Sequence, residues 1–327
     1  MRRPSTLLAF SAEEYVKAHA LLASRVATMM GRKFEEGDWS YVYCTAKGIP
    51  NQGWSNLHID IMCKQLGVEQ KMLCVQSNKS IKEYCGTSRM HPSATRSIRV
   101  PSEGDPTALA REVLQQYADL ITKRRQKVAE NEPGVEPDMR IGWFLWQESL
   151  EEFMYFEEEM LAPNPNDYWA KWKESGGGAR KTSKNLWVYE TETGRKRYSI
   201  TTSAGAKIQP YFDVPPPNDP NLYYFRVQGE ELEGGLTRIW ITSTTALLLK
   251  KIFGNLDTET ISAAIMETAK GVTAIKDEDE KRNKVDVELA QPIYITRDAY
   301  FALKQAFFGI NDDHMVQLFV QVNLREA

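Results

Sequence analysis

The chain of 327 residues carries 41 Lys and Arg against 44 Asp and Glu, a net charge of −3 and a pI of about 6.0. That balance excludes a polycationic coat for nucleic acid but not a local basic cleft, and the length suits one large domain or two moderate ones. Cys44, Cys63, Cys74 and Cys85 form no C-x-x-C pair, the four histidines lack zinc-ligand spacing, and no apolar run reaches about 18 residues. These features argue against a structural zinc, a disulfide framework and a membrane partner; the expectation is a soluble cytoplasmic protein.

Ser11-Ala12-Glu13-Glu14 is a capping box that opens a helix to about Met30, with Tyr15, Ala18, Leu22, Val26 and Met29 as its apolar stripe and Gly31 at its end. Trp39 to Thr45 alternates aromatic and polar residues and reads as a strand. Leu57 to Met62 reads as a short strand, Cys63 to Gly67 as a turn with Gly67 free to take positive φ, and Val68 to Val75 as a second strand. A loop from Gln76 to Glu103 follows, then a helix from Asp105-Pro106 to about Ala129. Met139 to Trp146 predicts a buried strand and Glu148 to Leu161 a helix. Pro163 to Asn185 is polar and centred on Gly176-Gly177-Gly178, a boundary or a DNA-contacting loop. Beyond it, Leu186–Tyr189, Arg197–Thr202, Lys207–Val214, Tyr223–Gln228, Thr237–Thr242 and Ile293–Thr296 read as strands. Thr245–Phe253, Thr258–Lys270 and the stretch after Arg297-Asp298 read as helices, with Gln317–Val322 as a last strand. No internal repeat is evident.

The hairpin carries the chemistry. Side chains alternate along a strand, so Glu69 and Lys71 share a face and Asp60 lies near them across the hairpin. Two carboxylates beside one lysine suit a metal-dependent phosphodiesterase. The carboxylates hold a cation that polarises the phosphate and acidifies a bound water; the lysine orients that water and offsets developing negative charge. Asp279-Glu280-Lys281 has the same acid-x-lysine form but sits in the charged run from Lys276 to Arg282, which reads as a solvated loop.

Asp60 followed by Glu69-Gln70-Lys71 resembles the PD-(D/E)XK nuclease motif. Leu66 to Lys71 is similar to the Gly-Val-Glu-Leu-Lys string of the mismatch-repair nicking endonuclease and its type II restriction-enzyme relatives. Ile59 stands where that family often has proline, and Gln70 where an apolar residue is usual. About 20 residues carry the resemblance. It implies an α+β (or α/β) fold with a mixed central sheet flanked by helices, Mg²⁺ as cofactor, and cleavage of double-stranded DNA. It further implies that Asp60 and Glu69 bind metal and that Lys71 is catalytic. Some relatives place a helix-borne glutamate upstream, so Glu35 or Glu36 is a candidate further ligand. A homodimer follows from the need to cut both strands of a palindrome.

Candidate DNA contacts are Lys79, Lys82, Arg89, Arg96 and Arg99 in the loop after the hairpin, near His91. Arg180, Lys181 and Lys184 beside the triple glycine are others. The macrodipole alone accounts for Lys123 to Lys127 at a helix C-terminus. The expected organisation is a nuclease core over 1–173 with its catalytic hairpin at 57–75, a flexible basic loop over 174–185, and a β-rich region over 186–327. That last region either completes the core or forms a recognition subdomain. A second reading, a nucleic-acid-binding or assembly protein without chemistry, is open at this point.

Overall fold

A computed structural model describes residues 5–29, 31–50, 59–75, 79–92, 98–100, 103–175, 183–201, 207–272, 275–276 and 288–326. Thr6–Leu7 (β1) precedes Ala12–Ala27 (α1). The capping box is present: Glu14 N–H donates to Ser11 Oγ and Ser11 N–H to Glu14 Oε2. Residues 39–45 then depart from expectation, because they lie in the helix Glu36–Lys47 (α2). Trp39, Val42, Tyr43 and Ala46 recur at helical spacing and are all buried in one core with α1. This period prevails over the aromatic–polar alternation, and Gly48 ends the helix at φ +67°.

Ile61–Cys63 (β2) and Leu66–Cys74 (β3) form the predicted hairpin. Ser88–Met90 (β4) lies within the stretch expected to be loop. Pro106–Asn131 (α3) starts where predicted, with Ala108 N–H donating to the Asp105 carboxylate. Asp138–Trp146 (β5) is a strand as expected, whereas Glu152–Glu159 (β6) is a strand in place of a helix. β6 is buried on both faces, which erases the alternation that marks a half-exposed strand. Its acids survive burial through partners: Arg140 lies 2.9 Å from Glu157, and Trp143 Nε1 donates to Glu158.

Tyr168–Ser175 (β7) and Ser183–Glu190 (β8) replace most of the expected polar loop, while Gly176 to Thr182 lie outside the described residues. Lys196–Thr201 (β9), Lys207–Asp213 (β10), Tyr223–Arg226 (β11), Glu230–Leu232 (β12) and Leu236–Thr242 (β13) follow. Then come Ser243–Phe253 (α4), Thr258–Gly271 (α5), Ile275–Lys276 (β14), Ala290–Thr296 (β15), Arg297–Ala306 (α6), Phe307–Phe308 (β16) and Asp312–Glu326 (α7). Gln317 to Val322, read as a strand, belong to α7. The missed signal is Asn311-Asp312-Asp313: the Asn311 side chain accepts from His314 N–H, and acids occupy the first turn.

The fold is α+β. One sheet runs β1-β6-β5-β3-β2, with β11 also paired to β6; β3 and β5 are parallel and the other pairs antiparallel. α1 and α2 cover one face through Val68, Phe144 and Tyr155. The C-terminal half of α3 covers the other, where Ile121 and Val128 meet Ile59 and Met139. The N-terminal half of α3 packs Leu109, Val113 and Leu114 on a second sheet, β4-β10-β9-β8-β7. α3 therefore ties the two sheets together. No helix among the described residues is long and apolar enough to cross a membrane.

The C-terminal part contains a repeat that the sequence reading missed. Ile239-Trp240-Ile241-Thr242 leads into α4, and Ile293-Tyr294-Ile295-Thr296 leads into α6. Thr242 and Thr296 each cap their helix by accepting an N–H three residues on. Leu249-Lys250 matches Leu303-Lys304, and Phe253 matches Phe307. Ile239 pairs directly with Ile293 in the antiparallel register of β13 and β15, so the matching positions are related by a local twofold through that pair. The matching string is short and the copies lie 54 positions apart, which hides the repeat in the linear sequence.

Candidate active site

The β2–β3 hairpin is built by a two-residue turn, Lys64-Gln65, in which Lys64 takes φ +52°. Asn131 at the end of α3 supports it by donating to the Lys64 carbonyl. Gly67 does not take positive φ, contrary to expectation. It is glycine because a Cβ there would lie 2.8 Å from Val128 Cγ2 and 3.0 Å from Ile59 Cδ1. The paired register ends at Ile61↔Val68, and Asp60 stands one residue beyond it, within electrostatic reach of Glu69. Asp60 turns its carboxylate onto the backbone, with Gln70 N–H donating to Oδ2 at 2.6 Å. Glu69 and Lys71 share one face of β3, joined by a 2.6 Å ion pair.

Two helices complete the cluster. Tyr117, Ile121, Arg124 and Val128 form one stripe of α3 at helical spacing. Within that stripe Arg124 Nη1 lies 3.0 Å from Glu69 Oε2. The approach is too poorly aligned for a hydrogen bond, so this buried carboxylate oxygen keeps none. The cation thus has a buried partner and is not explained by the helix dipole. A charged residue between Ile121 and Val128 is the signal that identifies it. On α2, Glu36 is half-buried and within electrostatic reach of Asp60, Glu69 and Lys71. Glu35, the other candidate, is exposed. The structure brings Glu36 to the site and leaves Glu35 facing solvent.

These charges act on one another. Burial, then the Glu69 charge, push the Asp60 carboxyl up to about 7; Glu36 adds to the rise, and Lys71 and the Gln70 N–H oppose it. Burial also raises Glu36, which Lys71 offsets in part. Burial alone would lower Lys71, but Glu69 and Asp60 outweigh it and leave its pKa raised, so it is an ammonium at neutral pH. His91 packs beside the site with Nε2 2.8 Å from the Met72 carbonyl oxygen, and burial lowers its pKa to about 4.

Among the described residues no three or more His, Cys, Asp or Glu side chains form a ready-made metal cage. Magnesium needs none: it keeps several waters and is held by one or two carboxylates together with substrate phosphate. Asp60 and Glu69 meet that requirement in donor type. Glu69 Oε2 accepts no hydrogen bond, and burial with the Glu69 charge holds the Asp60 carboxyl high.

Gln70, polar where an apolar residue is usual, is explained by the opposite face of β3. Trp39 Nε1 donates to its Oε1 at 3.2 Å, and its Nε2 donates to Tyr155 Oη at 3.1 Å. Tyr155 donates in turn to Glu157, which Arg140 holds. Gly142, directly opposite Gln70, leaves room for this chain, because a Cβ would collide with Tyr155 Oη. Gln70→Leu is expected to strand the Trp39 N–H and cost about 1–3 kcal/mol. Urea unfolding measures it, and unchanged stability would show that the network contributes nothing.

The remaining candidates are spread over several elements. Lys79 pairs with Glu83 at 3.2 Å, Lys82 lies 3.9 Å over the Tyr224 ring, and Arg89 lies 3.9 Å over Tyr84. Arg99 is exposed, with its backbone bonded to Gln116. Lys184 lies 4.3 Å over Trp172. Arg96, Arg180, Lys181 and the second acid-x-lysine triplet, Asp279 to Lys281, lie outside the described residues. Comparison of the chain with protein-family models, with curated proteins and with solved structures finds no match.

Proposed function

We propose that this chain is a magnesium-dependent, sequence-specific endonuclease that hydrolyses phosphodiester bonds of double-stranded DNA, in the manner of a PD-(D/E)XK, type II restriction enzyme. One observation carries the reading: Asp60, Glu69 and Lys71 meet at one edge of the mixed sheet with their charges coupled. A purely structural Glu–Lys pair on an edge hairpin would need neither the nearby acid nor the half-buried Arg124.

Asp60 and Glu69 would hold Mg²⁺, which when bound supplies an acidified water and a Lewis acid for the phosphate. Glu36, within electrostatic reach of Asp60, Glu69 and Lys71, would accept a hydrogen bond from water on that cation. Lys71, held as an ammonium by Glu69, acts by charge: it orients the attacking water and stabilises the extra negative charge on the phosphate oxygens. Arg124 fixes the Glu69 side chain, so the carboxylate keeps one orientation. The enzyme would act as a cytoplasmic homodimer on double-stranded DNA, with the region after residue 185 supplying sequence readout.

The metal requirement tests this reading. Cutting of DNA is expected with Mg²⁺ and is expected to vanish in excess chelator. Ca²⁺ should support DNA binding without cutting, since it is larger and takes more oxygen ligands. Asp60→Ala and Glu69→Ala should each abolish cutting, with the double variant little worse, because residues that act as a unit are non-additive. Full activity in chelator would rule the mechanism out.

A further inference from the structure

The outer face of the second sheet is unlike the rest of the surface. The inner face packs Ala170, Leu186, Val188 and Ile200 on α3. The register places the alternate residues together on the far side: Tyr189 opposite Trp169, and Trp187 opposite Lys171 and Ser199. Trp169 is 39% exposed and stacks on Tyr189 at 4.5 Å with the rings 14° from parallel. Lys196 Nζ lies 3.5 Å over the Trp187 ring and 4.8 Å over Tyr211, while Lys173 approaches Trp187 from the neighbouring strand at 5.5 Å. Lys171 lies 5.1 Å over Tyr189.

These lysines rest on aromatic rings and, among the described residues, have no carboxylate partner. That is unusual in a chain with more acids than bases. Several cations elsewhere pair with acids, as Arg140 does with Asp138 and Glu157 and Arg226 with Glu151 and Glu152, although Lys82 and Arg89 also lie over rings. A face of unneutralised ammonium groups calls for an anionic partner, and flat, partly exposed rings call for a flat one. Burial lowers the Lys196 pKa to about 8, and an incoming phosphate would reverse that.

We propose that this aromatic–lysine face binds single-stranded nucleic acid, stacking unpaired bases on Trp169, Trp187, Tyr189 and Tyr211 while Lys171, Lys173 and Lys196 engage phosphates. The exchange is favourable in kind. A lysine over an exposed ring gives a weaker contact than a base stacked on it, and the displaced ammonium is free to pair with the backbone. A duplex hides its base faces and gains only the phosphate contacts. An acidic peptide offers the charge without the planar groups. The inference is independent of the hydrolytic site, since it requires neither a metal nor a bond broken.

The test is fluorescence titration of the full chain with oligothymidylate in chelator, where quenching of Trp169 and Trp187 reports stacking directly. Binding is expected, and Trp187→Ala and Trp169→Ala should each weaken it by about tenfold. Replacing Lys171, Lys173 and Lys196 together by alanine should flatten the salt dependence by about 0.7 log unit per lost phosphate contact. These exposed substitutions preserve the inner core and keep the test valid if a tryptophan variant fails to fold. An abasic oligomer of equal length should bind far more weakly. Absence of binding, an abasic oligomer held as tightly, or an affinity untouched by the substitutions would each overturn the proposal. Metal-dependent cutting that persists in that case would leave the endonuclease reading standing.

Discussion

Lys71→Ala is expected to reduce DNA cleavage by about 100- to 1000-fold or more while leaving DNA affinity in Ca²⁺ nearly unchanged. The magnitude is that of removing a single preorganised donor from a developing oxyanion. The asymmetry follows from position. Lys71 is joined to Glu69 and mostly shielded from solvent, so it is one cation at the reacting phosphate and not part of the general backbone contact. Raising the pH toward 9 should not mimic the substitution, because the pKa of Lys71 is raised by its acidic neighbours. Measurement of single-turnover rate and affinity on the same DNA separates the two effects. Cleavage within a few-fold of the unmodified protein would remove Lys71 from the mechanism.

Asp60→Asn is expected to abolish cleavage and yet to stabilise the metal-free protein at pH 8. The Asp60 carboxyl is raised from 3.8 to about 7 in the folded state. A group whose folded pKa is raised contributes stability below its unfolded pKa and loses that contribution as pH rises through the folded value. At pH 8 the ionised carboxylate is therefore a net cost, on the order of a few kcal/mol, that asparagine removes. Near pH 4 the two proteins should differ little. Added Mg²⁺ should narrow the gap at pH 8, because the cation offsets the repulsion among Asp60, Glu69 and Glu36. Thermal unfolding at both pH values reads the effect, and an Asp60→Asn variant less stable than the parent at pH 8 would contradict the electrostatic account.

The parts legible in the sequence were those set by short-range rules. The β2–β3 hairpin, the nearness of Asp60 to Glu69, and the starts of α1 and α3 follow from strand alternation and from caps at Ser11 and Asp105. What failed depended on what each segment packs against. β6 is covered on both faces, so its acids, matched by Arg140 and Trp143, resembled an exposed helix. α7 carries valines of strand character but is started by Asn311 and buried in a helical layer. In the site, spacing alone did not separate Glu36 from Glu35, since only the direction of α2 decides which carboxylate turns inward. Arg124 was assigned to a helix end because its partner, Glu69, lies 55 positions earlier in the chain. Gly67 was assigned to a turn, but the crowding by Val128 and Ile59 that requires it is tertiary. Gln70, a departure from the resembled pattern, proved to anchor a buried network whose members come from four elements.

The most direct test of the hydrolytic centre is to incubate the purified protein with genomic DNA from several unrelated sources and Mg²⁺, then to sequence the ends of any fragments. The account predicts discrete fragments whose ends share one short sequence, and intact DNA from a parallel digestion with Glu69→Gln. Intact DNA with the unmodified protein, or the same fragments from the Glu69→Gln variant, would contradict it.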